Sequence, residues 1–279
     1  MLRLPMRFAA GCAGFLAASA GLMGTGGPGE AGSVPTLPPD AERAAKEITP
    51  ATLSSTVRFL AHDLLEGRGA ATRGDELGRA YIASVFEGLG LEPGAADGGW
   101  EQGFDIVSLT AELPKVWTFA AGGKHVDLAY WDDYTGSAGM QRASGGFEGA
   151  EIVFAGYGMQ APEYDWDDFK GADLRGKVLL VLNNDPDWGP KLFAGETRLY
   201  YGRWDYNNSS AARQGAAGAI IVHTQPSAGY PWQVVQSSWS GEQFELPDDG
   251  GTPRLQFRAW ATEAAARRLL ALGGKSFDE

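Results

Sequence analysis

The sequence is poor in the residues that most often carry chemistry. Its 279 residues include one cysteine, Cys12, and three histidines, His62, His125 and His223. A single cysteine cannot close an intramolecular disulfide, so no disulfide framework is expected. The histidines form no His-x-x-x-His pair and share no ligand-like spacing, which leaves them as surface or strand-end residues. Basic residues are in deficit too. Lys and Arg number 23 against 35 Asp and Glu, a formal charge of -12, so a nucleic-acid partner is not expected. The N-terminal apolar run, Phe8 to Met23, is short and broken by glycine, which argues against a stable membrane span. Neither "WSGE" nor "TGSAG" supplies the Gly-x-Ser-x-Gly elbow of a serine hydrolase, and Ser237, Ser238 and Ser240 have no base nearby in sequence.

What is present is apolar and glycine-rich. Hydrophobic residues make up 44% of the chain, enough for one large domain or two smaller ones, and 40 glycines imply many turns. Arg3 and Arg7, the apolar stretch after them and the small-x-small triplet Ala18-Ser19-Ala20 read as an export signal over residues 1–20. Cleavage there removes Cys12 and predicts a periplasmic or extracellular protein. "AAGC" (Ala9 to Cys12) is the alternative, a lipoprotein site, with little apolar sequence before it. Gly24 to Asp40 reads as a flexible tether, giving a linker over 21–48, with order starting near Thr49.

Thr49-Pro50 is a helix start, and Leu53, Val57, Leu60 and Leu64 recur at helical spacing. A second helix follows Gly74, with Leu77, Ile82, Val85, Phe86 and Leu89 on one stripe. Phe104 to Leu109 marks a strand, and "AAGGK" turns a hairpin between Val116–Phe119 and Val126–Tyr130. Asp132 to Ala150 is low in large apolar residues and reads as a connection or weak strand. "EIVFAGYGM", "GKVLLVLN", "AGAIIVHT" and "PRLQFRAW" are strands, the first three of buried type. Arg203 to Gly215 is a helix, and Thr262 caps another. There is no internal repeat.

Three stretches invite a functional reading. In "EYDWDDFKGAD", Asp165, Asp167, Asp168 and Asp173 suit either calcium or a turn that bonds its own backbone; the EF-hand spacing is absent and the turn is favoured. "GYG" (Gly156 to Gly158) lacks the full dinucleotide fingerprint. "GYPWQVVQSSWSGEQF" (Gly229 to Phe244) reads as a loop dressed for contact. Its Trp232 and Trp239, with Tyr200, Tyr201 and Trp204, are candidate recognition residues; the alternative is that they pack on their own domain.

"RFLAHDLLEGRGAATRGDELGRAYIASVFEGLGLEP" (Arg58 to Pro93), "FAGYGMQAPEYDWDDFKGADLRGKVLLVLNNDP" (Phe154 to Pro186) and "YYGRWDYNNSSAARQGAAGAIIVHT" (Tyr200 to Thr224) together resemble secreted zinc aminopeptidases that carry an inserted protease-associated (PA) domain. This is the family of aminopeptidase Y and, more distantly, glutamate carboxypeptidase. The resemblance implies an α/β chain. Residues 49–130 would be the N-terminal segment of the peptidase domain, two helices plus strands. Residues 131–262 would be a PA domain of mixed sheet or barrel type with flanking helices, and 263–279 a return helix. It also implies peptide or protein substrates, two zinc ions in the full-length relative, and PA loops lying over the peptidase cleft. In that family the metal ligands follow the PA domain. This sequence stops at Glu279, and none of its residues matches a zinc ligand or the general base, so none is carried over. No catalytic or metal residue and no cofactor are therefore assigned, and the chain alone is expected to be inactive. A free-standing PA module that binds peptide or protein, and an aromatic-rich carbohydrate binder, are the rival readings.

Overall fold

The computed structural model describes residues 38–190 and 192–278. The export-signal reading, Cys12 and most of the tether lie outside these residues. The chain divides into two compact units, Met1–Ile82 and Ala83–Glu279.

In the first unit, α1 (Pro39–Glu47) begins earlier than the expected start of order near Thr49. Pro38-Pro39 sets the first turn, and the Ala, Glu, Arg and Lys that follow are strong helix formers. The helix buries no residue. α2 (Pro50–Leu60) starts as the sequence predicts, with Thr49 Oγ1 accepting from the Thr52 amide at 3.1 Å. Its apolar stripe stays in solvent: Leu53 is 59% and Val57 63% exposed. A 3₁₀ segment, Asp63–Arg68, turns through Glu66 (φ 49°) and Gly67 (φ 78°) and buries Leu65. α3 (Arg73–Gly88) then starts hard against it; a Cβ on Gly74 would lie 1.9 Å from the Leu65 carbonyl oxygen, so only glycine fits. Phe59 stacks on Tyr81 at 4.2 Å.

The second unit carries β1 (Val107–Leu109), β2 (Val116–Ala121), β3 (Lys124–Ala129), β4 (Tyr134–Ala138), β5 (Ile152–Phe154), β6 (Gln160–Ala161), β7 (Trp166–Asp167) and β8 (Val178–Leu182). There follow α4 (Trp204–Arg213), β9 (Gly218–His223), α5 (Gln225–Ala228), α6 (Trp232–Trp239), β10 (Gln243–Glu245), β11 (Phe257–Thr262) and α7 (Glu263–Leu272). Five strands form an open sheet in the order β4-β11-β9-β8-β5. β5, β8, β9 and β11 run parallel, and β4 runs antiparallel to β11. The fold is therefore α/β.

Both faces of this sheet are covered, which is why β8 and β9 read as continuous apolar runs. On one face Val178, Leu180, Ile220, Val222, Ala259 and Ala261 pack against Phe119 and Leu128 of the β2–β3 hairpin and against Ala265, Ala266, Leu269 and Leu270 of α7. On the other, Leu179, Val181, Ala219, Ile221 and Trp260 meet Ala211 and Ala212 of α4 and Val235 of α6. The hairpin, expected on the N-terminal side of a division at 130/131, thus supplies core to the same layer stack as residues 131–262. Its turn is Gly122-Gly123, both at positive φ, as a tight hairpin requires. β4 is the strand the sequence understated. It is buried although made largely of small and polar residues, because it closes tightly on β11: a Cβ on Gly136 would lie 2.5 Å from the Arg258 carbonyl oxygen, and just beyond the strand one on Gly139 would lie 2.0 Å from the Leu255 carbonyl oxygen.

Candidate functional site

Open α/β sheets bind ligands outside the carboxyl ends of their parallel strands. Here that edge carries Gly156-Tyr157-Gly158 after β5, Asn183-Asn184-Asp185 after β8, and His223 at the end of β9 with Thr224 after it. The amino end of α4 comes to the same place. Asn207 Nδ2 donates to the Tyr157 carbonyl at 2.7 Å, and the Leu199 amide donates to Asp185 Oδ2 at 3.0 Å. Gly202 packs so closely that a Cβ would sit 2.6 Å from Asp185 Oδ1. Tyr206 lies beneath, its hydroxyl donating to the Gln160 carbonyl at 3.1 Å.

All five aromatic residues singled out in the sequence lie in this second unit around that edge. Tyr200 is 62% exposed and meets Tyr206 edge-on at 5.5 Å. Tyr201 is half-buried, and its hydroxyl donates to Glu163 Oε1 at 2.5 Å. That bond pushes the phenol up to about 12 and lowers the Glu163 carboxyl. Trp204 meets Trp239 edge-on at 5.2 Å, and Trp239 continues to Trp260 at 5.9 Å. Trp232 lies 5.6 Å from the His223 ring.

The segment read as a contact loop is the helix α6. Trp232, Val235, Gln236 and Trp239 follow at i, i+3, i+4 and i+7, a helical stripe disguised by its polar members. Trp232 and Trp239 pack against the core cluster beside Trp260. Ser237 and Ser238 donate to carbonyls of their own helix, Gln233 at 3.0 Å and Val234 at 2.5 Å. Tyr200 and Trp204 keep exposed faces, at 62% and 38%.

Two further tryptophans escaped sequence reading. Trp188 is 66% exposed and sits 6.0 Å from Tyr157 and 5.9 Å from Trp166. A tryptophan inside the turn sequence "DPDWGP" is the signal that marks it. Trp131 is 43% exposed and holds φ at 79°, a costly angle for a bulky residue. Its carbonyl accepts two hydrogen bonds from α6, from Trp232 Nε1 at 2.9 Å and Gln236 Nε2 at 2.6 Å.

His223 is buried, and its Nε2 lies 3.0 Å from the Tyr230 carbonyl. A carbonyl only accepts, so Nε2 carries the proton. Burial pulls the imidazole below its usual value and keeps it neutral, the Tyr230 bond opposing this in part. His62 Nδ1 accepts from the Leu64 amide at 3.1 Å, and His125 stands exposed on the hairpin. The Asp167 and Asp168 carboxylates serve a turn. Asp168 Oδ2 accepts from the amides of Tyr157 (3.1 Å) and Met159 (3.0 Å), and Asp167 Oδ1 from Phe169 (2.9 Å). Burial raises the Asp168 carboxyl, and those amides offset part of the rise. Among the described residues no three His, Cys, Asp or Glu side chains gather where a metal ion would sit. The donor set does not fit the two-zinc centre that the family resemblance implies, and no metal-assisted step is derived. No helix among the described residues is long and apolar enough to cross a membrane.

Fold and edge together define an α/β protein with an aromatic rim at the carboxyl edge of its sheet. No family model matches the chain. No curated protein matches it either. Among solved structures it is similar to an aminopeptidase from Aneurinibacillus sp. strain AM-1, with 16% identity and a TM-score of 0.38 over 81% of this chain and 41% of that one. It is also similar to a zinc aminopeptidase from Bacillus subtilis, with 18% identity and a TM-score of 0.32 over 77% of this chain and 39% of that one. The chain thus spans about two fifths of the length of the solved structures it matches.

Proposed function

We propose that this chain is the N-terminal and PA-type portion of an exported aminopeptidase-like protein, and that it recognises peptide without cleaving it. The observation that carries the reading is the exposed aromatic rim at the carboxyl edge, with Tyr200 62% and Trp204 38% in solvent. Flat aromatic faces with a polar tip suit peptide contact. The motifs behind the family resemblance support it, since they fall on the elements that build this edge: Phe154 to Pro186 spans β5 to β8, and Tyr200 to Thr224 spans α4 and β9. Export rests on Arg3, Arg7 and the Ala18-Ser19-Ala20 triplet. Zinc belongs to the full-length relative in this reading. A second reading, a self-sufficient PA-type binding module, is favoured by the way Phe119 and Leu128 complete the core of the second unit.

The test is binding of unlabelled peptide mixtures to the purified full chain by calorimetry. Tyr200→Ala is expected to weaken binding about 10-fold, the loss typical of one contact aromatic, while leaving the melting temperature unchanged. The chain is expected to release no amino acid from aminoacyl-nitroanilides, with or without added zinc. Peptide affinity unaltered by Tyr200→Ala and Trp204→Ala would remove the rim from the reading. Binding to glycans and not to peptides would replace it with the carbohydrate alternative.

A further inference from the structure

At the carboxyl edge of the sheet, four buried polar atoms have no hydrogen-bond partner among the described residues: Asn183 Nδ2, Asn207 Oδ1, and both Nδ2 and Oδ1 of Asn208. All three side chains are more than nine-tenths buried. Buried polar groups are nearly always bonded, and an orphaned one lowers stability, so four at one edge call for an explanation.

Strand and helix periodicity bring them together. Leu179 and Val181 of β8 pack toward α4, and Asn183 is the next residue on that face. On α4, Ala211 and Ala212 pack on the sheet, and Asn207 and Asn208 stand one turn earlier on the same stripe. α4 joins the parallel strands β8 and β9, so this earlier turn lies toward their carboxyl ends. Asn207 is fixed by its Nδ2, which donates to the Tyr157 carbonyl at 2.7 Å. Trp204 stands one further turn toward the edge, partly exposed and edge-on to Trp239 at 5.2 Å. Helical side chains lean toward the amino end, so Asn208 leans toward the turn that carries Trp204. A polar floor thus lies beneath the aromatic rim.

Charge does not choose the ligand of this floor. Asp185, two residues beyond Asn183, is buried and accepts from the Leu199 amide at 3.0 Å. The guanidinium groups of the same edge are engaged, Arg198 with Asn184 Oδ1 and the Ser227 carbonyl, and Arg203 with Asp205 at 3.7 Å. The balance of donors and acceptors does choose. The orphans are two donors and two acceptors, and a primary amide offers two N–H groups and a carbonyl with two lone pairs. Its carbonyl and one N–H lie side by side, so two primary amides close a ring of two hydrogen bonds. A trans peptide group points its N–H and C=O in opposite directions and cannot do so. A carboxylate brings no donor and a second negative charge beside Asp185, and a thioether leaves the floor unsatisfied. We infer that the floor takes the side-chain carboxamide of a glutamine in the bound peptide. The carboxamide pairs reciprocally with Asn208, accepts from Asn183 Nδ2 and donates to Asn207 Oδ1, and the Trp204 ring turns aside to lie along the two methylenes. The inference rests on the peptide reading of the rim and adds a side-chain preference to it.

The experiment uses the full chain and three peptides, acetyl-Gly-Phe-Xaa-Phe-Gly-N-methylamide with glutamine, methionine or glutamate at Xaa, titrated by calorimetry. The glutamine peptide is expected to bind at least about 10-fold more tightly than the other two. Asn208→Leu should bring the three affinities within about 2-fold of one another. Because it removes an orphaned amide, it should also raise the melting temperature of the unliganded chain by about 2 °C or more. Asn208→Ala gives the same comparison of peptides if leucine does not fit. Tyr200→Ala should weaken all three peptides alike and keep the preference. Equal affinities in the unaltered chain, still weakened by Tyr200→Ala, would overturn the inference and leave the rim standing; no binding of any peptide would overturn both. A glutamine preference that survives in both Asn208 variants would overturn it by placing the selectivity elsewhere. A lowered melting temperature in both variants would overturn it in favour of an internal water that already satisfies the amide.

Discussion

Leu128→Ala tests whether the β2–β3 hairpin is structural core or an appendage. Leu128 is fully buried, stands across from Trp117 in the hairpin ladder and packs in one cluster with Tyr134, Val178, Ile220 and Leu270. Truncation to alanine removes three carbons, at about 0.8 kcal/mol each. The neighbours belong to strands and a helix that cannot collapse inward, so a cavity term adds to this and the expected loss is about 2–5 kcal/mol. For a unit of this size each 1 kcal/mol corresponds to roughly 2–4 °C of melting temperature. Val116→Ala is the control: the side chain is 51% exposed in the same strand pair, and the expected change is within about 0.5 kcal/mol. Urea unfolding followed by tryptophan fluorescence gives both numbers. A loss below about 1 kcal/mol for Leu128→Ala with an unchanged denaturant slope would refute the reasoning and return the hairpin to the N-terminal segment.

The remaining predictions are briefer. Burial holds His223 below the usual histidine value of 6.5, so its contribution is present above that pH and is lost as the pH falls toward the folded value, because the unfolded chain takes up the proton first. The drop in melting temperature from pH 7.5 to about 5.5 should shrink in His223→Gln, and an identical drop would exclude His223 as its source. Gly139→Ala puts a Cβ 2.0 Å from the Leu255 carbonyl oxygen and should cost more than about 3 kcal/mol; a soluble variant with native melting would contradict the close backbone approach just beyond β4. Trp131→Gly suits the positive φ and should leave stability unchanged or raise it by up to about 1 kcal/mol, whereas Trp131→Val should lower it by more than that; the opposite order would mean that the turn is not strained. On α2, Leu53→Ser and Val57→Ser remove side chains 59% and 63% exposed and should change the melting free energy by less than about 0.5 kcal/mol.

How far the sequence was readable depended on what did the burying. β8 and β9 announced themselves because both faces are covered and all their positions up to His223 at the end of β9 are filled by apolar residues or glycine. Thr49 and Thr262 marked their helices because a cap is a local hydrogen bond, and both caps form. β4 stayed hidden because Thr135 and Ser137 are buried by the nearness of β11, a long-range event that leaves no apolar pattern. α1 was hidden for the opposite reason: it buries nothing, so its composition was its only signal. At the carboxyl edge, Tyr200, Tyr201, Trp204, Trp232 and Trp239 were visible as aromatic residues, but which faced solvent was set by α6 being a helix. Trp131 was invisible because a positive φ on tryptophan is imposed by Trp232 and Gln236, about a hundred residues downstream.

The strand order has a consequence for how the sheet comes into being. β11 lies between β4 and β9, so β4 has no partner until β11 arrives, and Arg258 of β11 reaches the Ala138 carbonyl across a separation of 120 residues. Loops of that length must be closed before any contact rewards the closure, which places sheets of this kind among slow folders, at milliseconds to seconds. β8, α4 and β9 follow one another along the chain and can assemble first as a local βαβ unit. β4 and the β2–β3 hairpin, although made earlier, must wait for the last strand to dock. The sheet therefore closes from its middle outward, and its N-terminal elements are the last to gain protection.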